Sequence, residues 1–177
     1  LLINFLNQTV DIDYQLVNNI ISLKSPKNNN NFQLDATIEL KPFFFNSNII
    51  LNRQNLNFLI DELIFSILNL TSDLIGNLDG NFQFTLTNIK HELIRDGYVS
   101  FNFSDKSIKI KEVLFNLGDI GIIESKVNYL EDNGEIVFNS SNTLKIKNSK
   151  NFAKKFQLNP NKVKHLKKIY FKIKKNI

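Results

Sequence analysis

The feature that most constrains this chain is alternation. Phe82, Phe84 and Leu86 are separated by Gln83 and Thr85, and Val99, Phe101 and Phe103 by Ser100 and Asn102. Phe32, Leu34, Ala36, Ile38 and Leu40 alternate in the same way with Gln33, Asp35, Thr37 and Glu39. Side chains on a strand point to opposite faces with period two, so each segment predicts a strand with one oily and one wet side. A sheet built from such strands must cover its oily face, either with protein or with a lipid.

Val10, Ile12, Tyr14 and Leu16 alternate with Asp11, Asp13 and Gln15, predicting a first strand that runs toward Leu23. Ser25-Pro26-Lys27-Asn28 breaks it with turn-forming residues. Pro42 limits the strand that follows, and the consecutive Phe43, Phe44 and Phe45 put at least one ring on each face. From Asn52 to Asn69 the period changes. Leu56, Leu59, Ile60, Leu63, Ile64, Ile67 and Leu68 form the stripe of an amphipathic helix, with Asn52 or Asn55 as its cap. The polar side of that helix carries Asp61 and Glu62 and almost no Lys, which suits a helix covering the sheet better than one lying on an anionic bilayer.

Beyond Asp79-Gly80, turn signals stand at Asp96-Gly97, Ser104 to Ser107, Asp132-Asn133-Gly134 and Asn139 to Asn142. They divide strands at 80–88, 97–103, 107–115, 121–130, 134–139 and 142–147. Connections this short force antiparallel neighbours. Ser149 is a candidate cap for a helix burying Phe152, Ala153 and Phe156, Asn159-Pro160 opens a second helix, and Ile169, Phe171 and Ile173 mark a last strand. The expected fold class is α+β, mostly antiparallel β: a curled meander sheet with one apolar face, an amphipathic helix near 52–69 and short helices near 149–168. Residues 1–177 read as a single β-rich domain or a segment of a longer repetitive β-groove protein. Its parts are N-terminal strands in 1–50, a covering helix in 52–70, a meander in 78–147 and a Lys-rich end in 148–177.

Composition narrows the chemistry. There is no Met and residue 1 is Leu, so the sequence reads as a piece of a longer chain, and a missing leader or anchor carries no argument. The absence of Cys excludes disulfides and thiol nucleophiles, and no apolar run reaches the roughly 18–20 residues of a spanning helix. Usage is skewed to Asn, Ile, Lys and Phe, whose codons are A/T-rich, so the Asn28 to Asn31 run and the Asn-x-Ser/Thr triplets need no functional explanation. Charge is segregated. From Ile136 onward there are 12 Lys and no acid, while the rest of the chain carries 10 basic and 17 acidic residues. A basic end on an acidic body suggests an anionic partner, or else a Lys-decorated edge that resists unwanted strand pairing.

No catalytic constellation is present. His91-Glu92-Leu93-Ile94-Arg95 starts like the zinc motif His-Glu-x-x-His but has Arg where the second ligand must be, and His165 lies apart in the Lys-rich helix. Adjacent Asp61 and Glu62 diverge by about 100° on a helix. Gly118-Asp119-Ile120-Gly121 lacks the lysine of a phosphate loop and suits a turn or bulge. The reading is non-enzymatic, with no metal and no cofactor.

Three stretches carry a resemblance: the strand Leu78-Asp79-Gly80-x-Phe82-x-Phe84, the hairpin GYVSFNFSDKSIKI over 97–110, and the ending NFAKKFQL (151–158) with KKIYFKI (167–173). In layout, residues 52–177 resemble the C-terminal region of AsmA-like bacterial envelope proteins, related to the TamB/YhdP-type bridge-like lipid-transfer proteins. The resemblance implies a periplasmic protein held in the inner membrane by an N-terminal anchor that this sequence lacks. It also implies a long β-groove for phospholipid transport or outer-membrane assembly, with phospholipid acyl chains and outer-membrane proteins as partners. The basic end is a departure that this family picture does not explain. The groove candidates are Phe82, Phe84, Leu86, Val99 and Phe101, with Phe103, Ile108, Ile110, Ile136 and Phe138. A charged residue at Phe84 or Phe101 is accordingly expected to abolish lipid occupancy.

Two other readings stand beside it. One is a structural or adhesive β module whose apolar face is closed by its own helices. The other is an anionic-polymer-binding module acting through Lys162, Lys164, Lys167, Lys168, Lys172, Lys174 and Lys175. Nucleic acid is the weaker form of that third reading, because Arg is nearly absent and Tyr170 alone offers a stacking ring.

Overall fold

The computed structural model describes residues 1–5, 8–26, 31–56, 67, 78–104, 107–132 and 135–176. A two-stranded ribbon, β1 (Leu2–Phe5) and β2 (Gln8–Asp11), leads into one curled, unclosed sheet of ten strands. In chain order these are β3 (Asp13–Val17), β4 (Ile20–Lys24), β5 (Phe32–Leu40), β6 (Phe43–Asn52), β7 (Gly80–Thr87) and β8 (Asp96–Ser104). They continue as β9 (Ser107–Asn116), β10 (Gly121–Asp132), β11 (Glu135–Ile146) and β12 (Lys168–Asn176), each strand lying beside its predecessor. Two short helices, α1 (Ser149–Lys155) and α2 (Pro160–Val163), separate β11 from β12. The mostly antiparallel β class expected from alternation is the class observed.

Local chemistry explains the corrections to the expected elements. The first strand does not run on to Leu23: Asn18 and Asn19 take φ of 49° and 65°, forming a tight turn between β3 and β4. Asn tolerates this left-handed region because its short amide can bond locally, and two such residues match the twist of paired strands. The turn expected at Asn139 to Asn142 is absent, and β11 passes straight through it. Those residues pair on both sides, Asn139 to Asn142 with Asn128 to Ser125 of β10 and with Lys174 to Phe171 of β12. Two full ladders of backbone hydrogen bonds outweigh the turn preference of four polar residues. Asn142 is buried, but its amide donates to Ser140 and to the Phe171 carbonyl, so no polar group is stranded.

One pairing in the sheet is not antiparallel. β6 and β7 are parallel, Ile49 opposite Phe84 and Leu51 opposite Leu86, so the chain crosses over between residues 52 and 80 before the antiparallel meander begins. The helix expected over 52–69 lies for the most part outside the described residues. Asn52 is not its cap: it belongs to β6, where its side-chain oxygen accepts from Thr87 Oγ1 at 3.3 Å and Asn88 Nδ2 at 3.0 Å. Leu56 is buried and Ile67 packs on the core, so the two described positions of the apolar stripe face the sheet. At the other end Asn148, not Ser149, caps α1, accepting from the amides of Lys150 and Asn151. Phe156, expected to be buried, is 40% exposed.

Register sorts the faces. Phe82 faces Phe101 and Phe84 faces Val99 across β7–β8, while Ile49 and Leu51 continue the same side on β6. Gly80 sits opposite Phe45, whose ring fills the space that a side chain at residue 80 would need; a Cβ there would lie 2.5 Å from it. The opposite side of these strands presents Asn46, Asn48, Asn81, Gln83, Thr85 and Ser100.

Candidate functional site: the apolar face and the basic end

The centre of the apolar face is closed by protein. Phe84, Leu86, Val99, Phe101, Phe103 and Ile108 are all buried within one cluster, with Phe101 at 0% exposure. Phe82 and Ile110 are partly buried and pack against it. The cover is formed by Val10 and Ile12 from the N-terminal segment, by Leu56, and by Ile89 and Ile94 from the β7–β8 connection. Aromatic edges interlock beneath it: Phe84 meets Phe101 at 6.3 Å and 90°, and Phe45 meets Phe103 at 5.3 Å and 62°. Ile136 and Phe138 pair through their backbones with Glu131 and Tyr129, and their side chains lie outside the described residues. Eight of the ten sequence-predicted groove residues therefore come together, as the lining of a packed interior.

The same face is uncovered at its flank. On β3, Tyr14 and Leu16 pair with Leu23 and Ile21 of β4, which pair in turn with Ala36 and Ile38 of β5. Tyr14 and Leu16 are 69% and 60% exposed. Leu40 and Phe43, opposite each other across β5–β6, are also exposed, and Ile21 and Ile38 are half-buried. The alternation of Tyr14 and Leu16 was legible in the sequence, but which part of the apolar face would escape the cover was not. Two hollows lie elsewhere on the sheet. One of about 630 Å³ is lined by Asp35, Thr37, Asn48, Gln83 and Lys111, and a neighbouring one of about 730 Å³ by Lys111, Glu124, Lys126, Thr143 and Lys172.

A second cluster sits under the basic end. α1 buries Ala153 and inserts Phe152 against Leu117, Ile120 and Leu144, with Leu166, Ile169 and Phe171 around them. Lys162, Lys164, Lys167 and Lys168 are exposed on α2 and the approach to β12. Lys172 and Lys174 are exposed along β12, and Lys175 pairs through its backbone with Phe138, its side chain lying outside the described residues. Tyr170 stands 71% exposed between Lys168 and Lys172 on the same side of the strand. Lys155 reaches across to Glu92 at 2.7 Å, and that hydrogen bond, reinforced by the lysine charge, holds the Glu92 carboxyl below its ordinary value.

Several other polar groups have structural partners. His91 Nδ1 accepts from the amides of Leu93 and Ile94 at 3.1 Å each, folding the β7–β8 connection, and His165 is exposed. The Tyr98 hydroxyl donates to Glu112; burial first and the carboxylate second push its pKa up. Gly118 takes φ +64° in the β9–β10 turn, the conformation that makes glycine useful there. Among the described residues no three His, Cys, Asp or Glu side chains gather as a metal site, and no helix is long and apolar enough to cross a membrane. No family model, curated protein or solved structure matches the chain.

Proposed function

We propose that this chain is a non-enzymatic β-sheet segment of a bacterial envelope protein of the AsmA-like kind, which holds phospholipid acyl chains on the open flank of its apolar face. The observation that carries the reading is the strip Tyr14, Leu16, Leu40 and Phe43, which continues the register of the core but is 39–69% exposed. Four strands about 4.8 Å apart make a strip about 14 Å wide, enough for an acyl chain laid across it. Each methylene removed from water there contributes about 0.8 kcal/mol. The expected centre of the groove moves accordingly: Phe84 and Phe101 support the strip from within the fold, and a charge at either acts on stability before it acts on lipid.

Native mass spectrometry of the purified chain, followed by solvent extraction, tests this. Phospholipid bound in defined stoichiometry, lost in Leu16→Asp and Phe43→Asp while thermal stability holds, is the expected result. A clean apo mass from folded protein overturns it. A second reading has an observation of its own: the near-complete burial of Val99 and Phe101 suits a structural module that closes its face with its own chain, and the apo outcome would favour it.

A further inference from the structure

The basic end carries a surface that the acyl-chain reading does not use. α1 terminates in a Schellman turn: Leu158 N–H donates to Ala153 O at 2.8 Å and Gln157 N–H to Lys154 O at 3.4 Å. Gln157 occupies the left-handed position, φ 52°, where glycine is usual. Asn159 then caps α2 through the Asn161 amide at 2.9 Å, and Ser149 Oγ donates to Lys164 O at 3.4 Å, tying the two helices together. The result is a stiff knuckle at residues 156–159. In a Schellman turn the residue after the left-handed position commonly packs back on the helix. Here Leu158 is 42% exposed and Phe156, its ring 4.8 Å from that of buried Phe152, is 40% exposed.

Exposed Lys154 and Lys155 precede the knuckle, and exposed Lys162 and Lys164 follow it. Two acids face this cap from the neighbouring loops. Glu92 is bonded to Lys155, and Asp119 lines the same hollow as Lys154. Among the described residues Lys155 is the one lysine of the cap held in an ion pair, which leaves Lys162 and Lys164 uncompensated. We propose that this knuckle docks on an anionic bilayer, with Phe156 and Leu158 entering the headgroup layer and the flanking lysines binding lipid phosphates. Apolar side chains at the centre of a cationic rim are what an interfacial site requires. Nucleic acid fits less well, because Leu158 offers nothing to a base and residues 136–177 contain no Arg. Each lysine brought near a negatively charged leaflet strengthens partitioning about fivefold.

The proposal stands apart from the acyl-chain reading, and its test reads a different quantity. The full chain is sedimented with phosphatidylcholine vesicles with and without phosphatidylglycerol, and separately titrated with single-stranded DNA. The expected result is sedimentation with phosphatidylglycerol vesicles alone, weakened about 25-fold in the Lys162→Gln/Lys164→Gln double variant. Leu158→Ser, alone and with Phe156→Ser, should weaken it further while leaving the thermal melt in place. Equal binding to neutral vesicles, no binding to either, or unchanged binding by Leu158→Ser would each overturn the proposal. So would DNA displacing the protein from vesicles through the same lysines without any effect of Leu158→Ser, which would assign the surface to nucleic acid. Lipid co-purifying with the lysine variant at the wild-type level keeps the two readings separable.

Discussion

Replacing Phe101 with Ala separates a closed interior from a lipid-lined one. Phe101 lies between Phe82 of β7 and Ile110 of β9 and has no exposed surface. Its ring meets the edge of Phe84 at 90°. Truncating it removes the ring from a site walled by two neighbouring strands and a protein cover, which restricts collapse of the cavity. The expected cost is about 3–5 kcal/mol. For a domain of this size that lowers the melting temperature by about 6–20 °C. Urea unfolding should show the midpoint falling with the slope unchanged, because the surface exposed on unfolding is nearly the same. Lipid content, measured by extraction of the folded variant, should match the wild type. A loss below about 1 kcal/mol, on the scale of an unburied position, would refute the packing argument. So would a melting point that falls only when bound lipid is stripped, since the ring would then have been packed against lipid.

Three further outcomes follow from particular contacts. Gly80→Val should destabilise by about 1–3 kcal/mol, because a Cβ there would lie 2.2 Å from the Phe45 carbonyl oxygen; chemical denaturation reads it, and Phe45→Ala should not rescue it fully. Asn18→Val forces a β-branched residue to φ 49° in the β3–β4 turn and should cost about 1–2 kcal/mol, read as a drop in melting temperature, while Asn18→Gly should not. Tyr98 has its pKa raised above 10.0 by burial and by Glu112, so the stability linked to its neutral phenol is full below the unfolded value and is lost as pH rises through the folded one. The phenolate absorbance of wild type minus Tyr98→Phe should therefore appear at higher pH than that of free tyrosine, and a difference curve at or below the ordinary value would contradict the assignment.

Strand identity was readable because it is a local property. Period two at Phe82 to Leu86 and Val99 to Phe103 needs no knowledge of the rest of the chain, and the short link from Ser104 to Ser107 compels β8 and β9 to run antiparallel, whereas Asp96-Gly97, expected as a turn, opens β8 itself and pairs with Asn116 and Phe115. The parallel entry of β7 beside β6 was within reach, since a helical period between two strands is the usual mark of a crossover. The straight passage of β11 through Asn139 to Asn142 was not, because the ladders that overrule the turn come from strands on either side, one of them nearly thirty residues away in sequence. The exposure of Phe156 and Leu158 was likewise hidden: apolar residues near a helix end look like core until the Schellman turn shows which way they project.

By itself, then, the sequence determined the material of this protein: where most of the strands lie, which side of each is oily, and where the lysines gather. Tertiary structure decided what is done with the oily side. Val10, Ile12 and Leu56 are remote in sequence from Phe101, yet they complete the interior around it, while Tyr14 and Leu16 carry the same alternation on an edge strand and remain exposed. Alternation is a statement about one strand's geometry. Cover is a statement about which distant segments fold back across the sheet, and only long-range packing, with the burial free energy it releases, makes that choice.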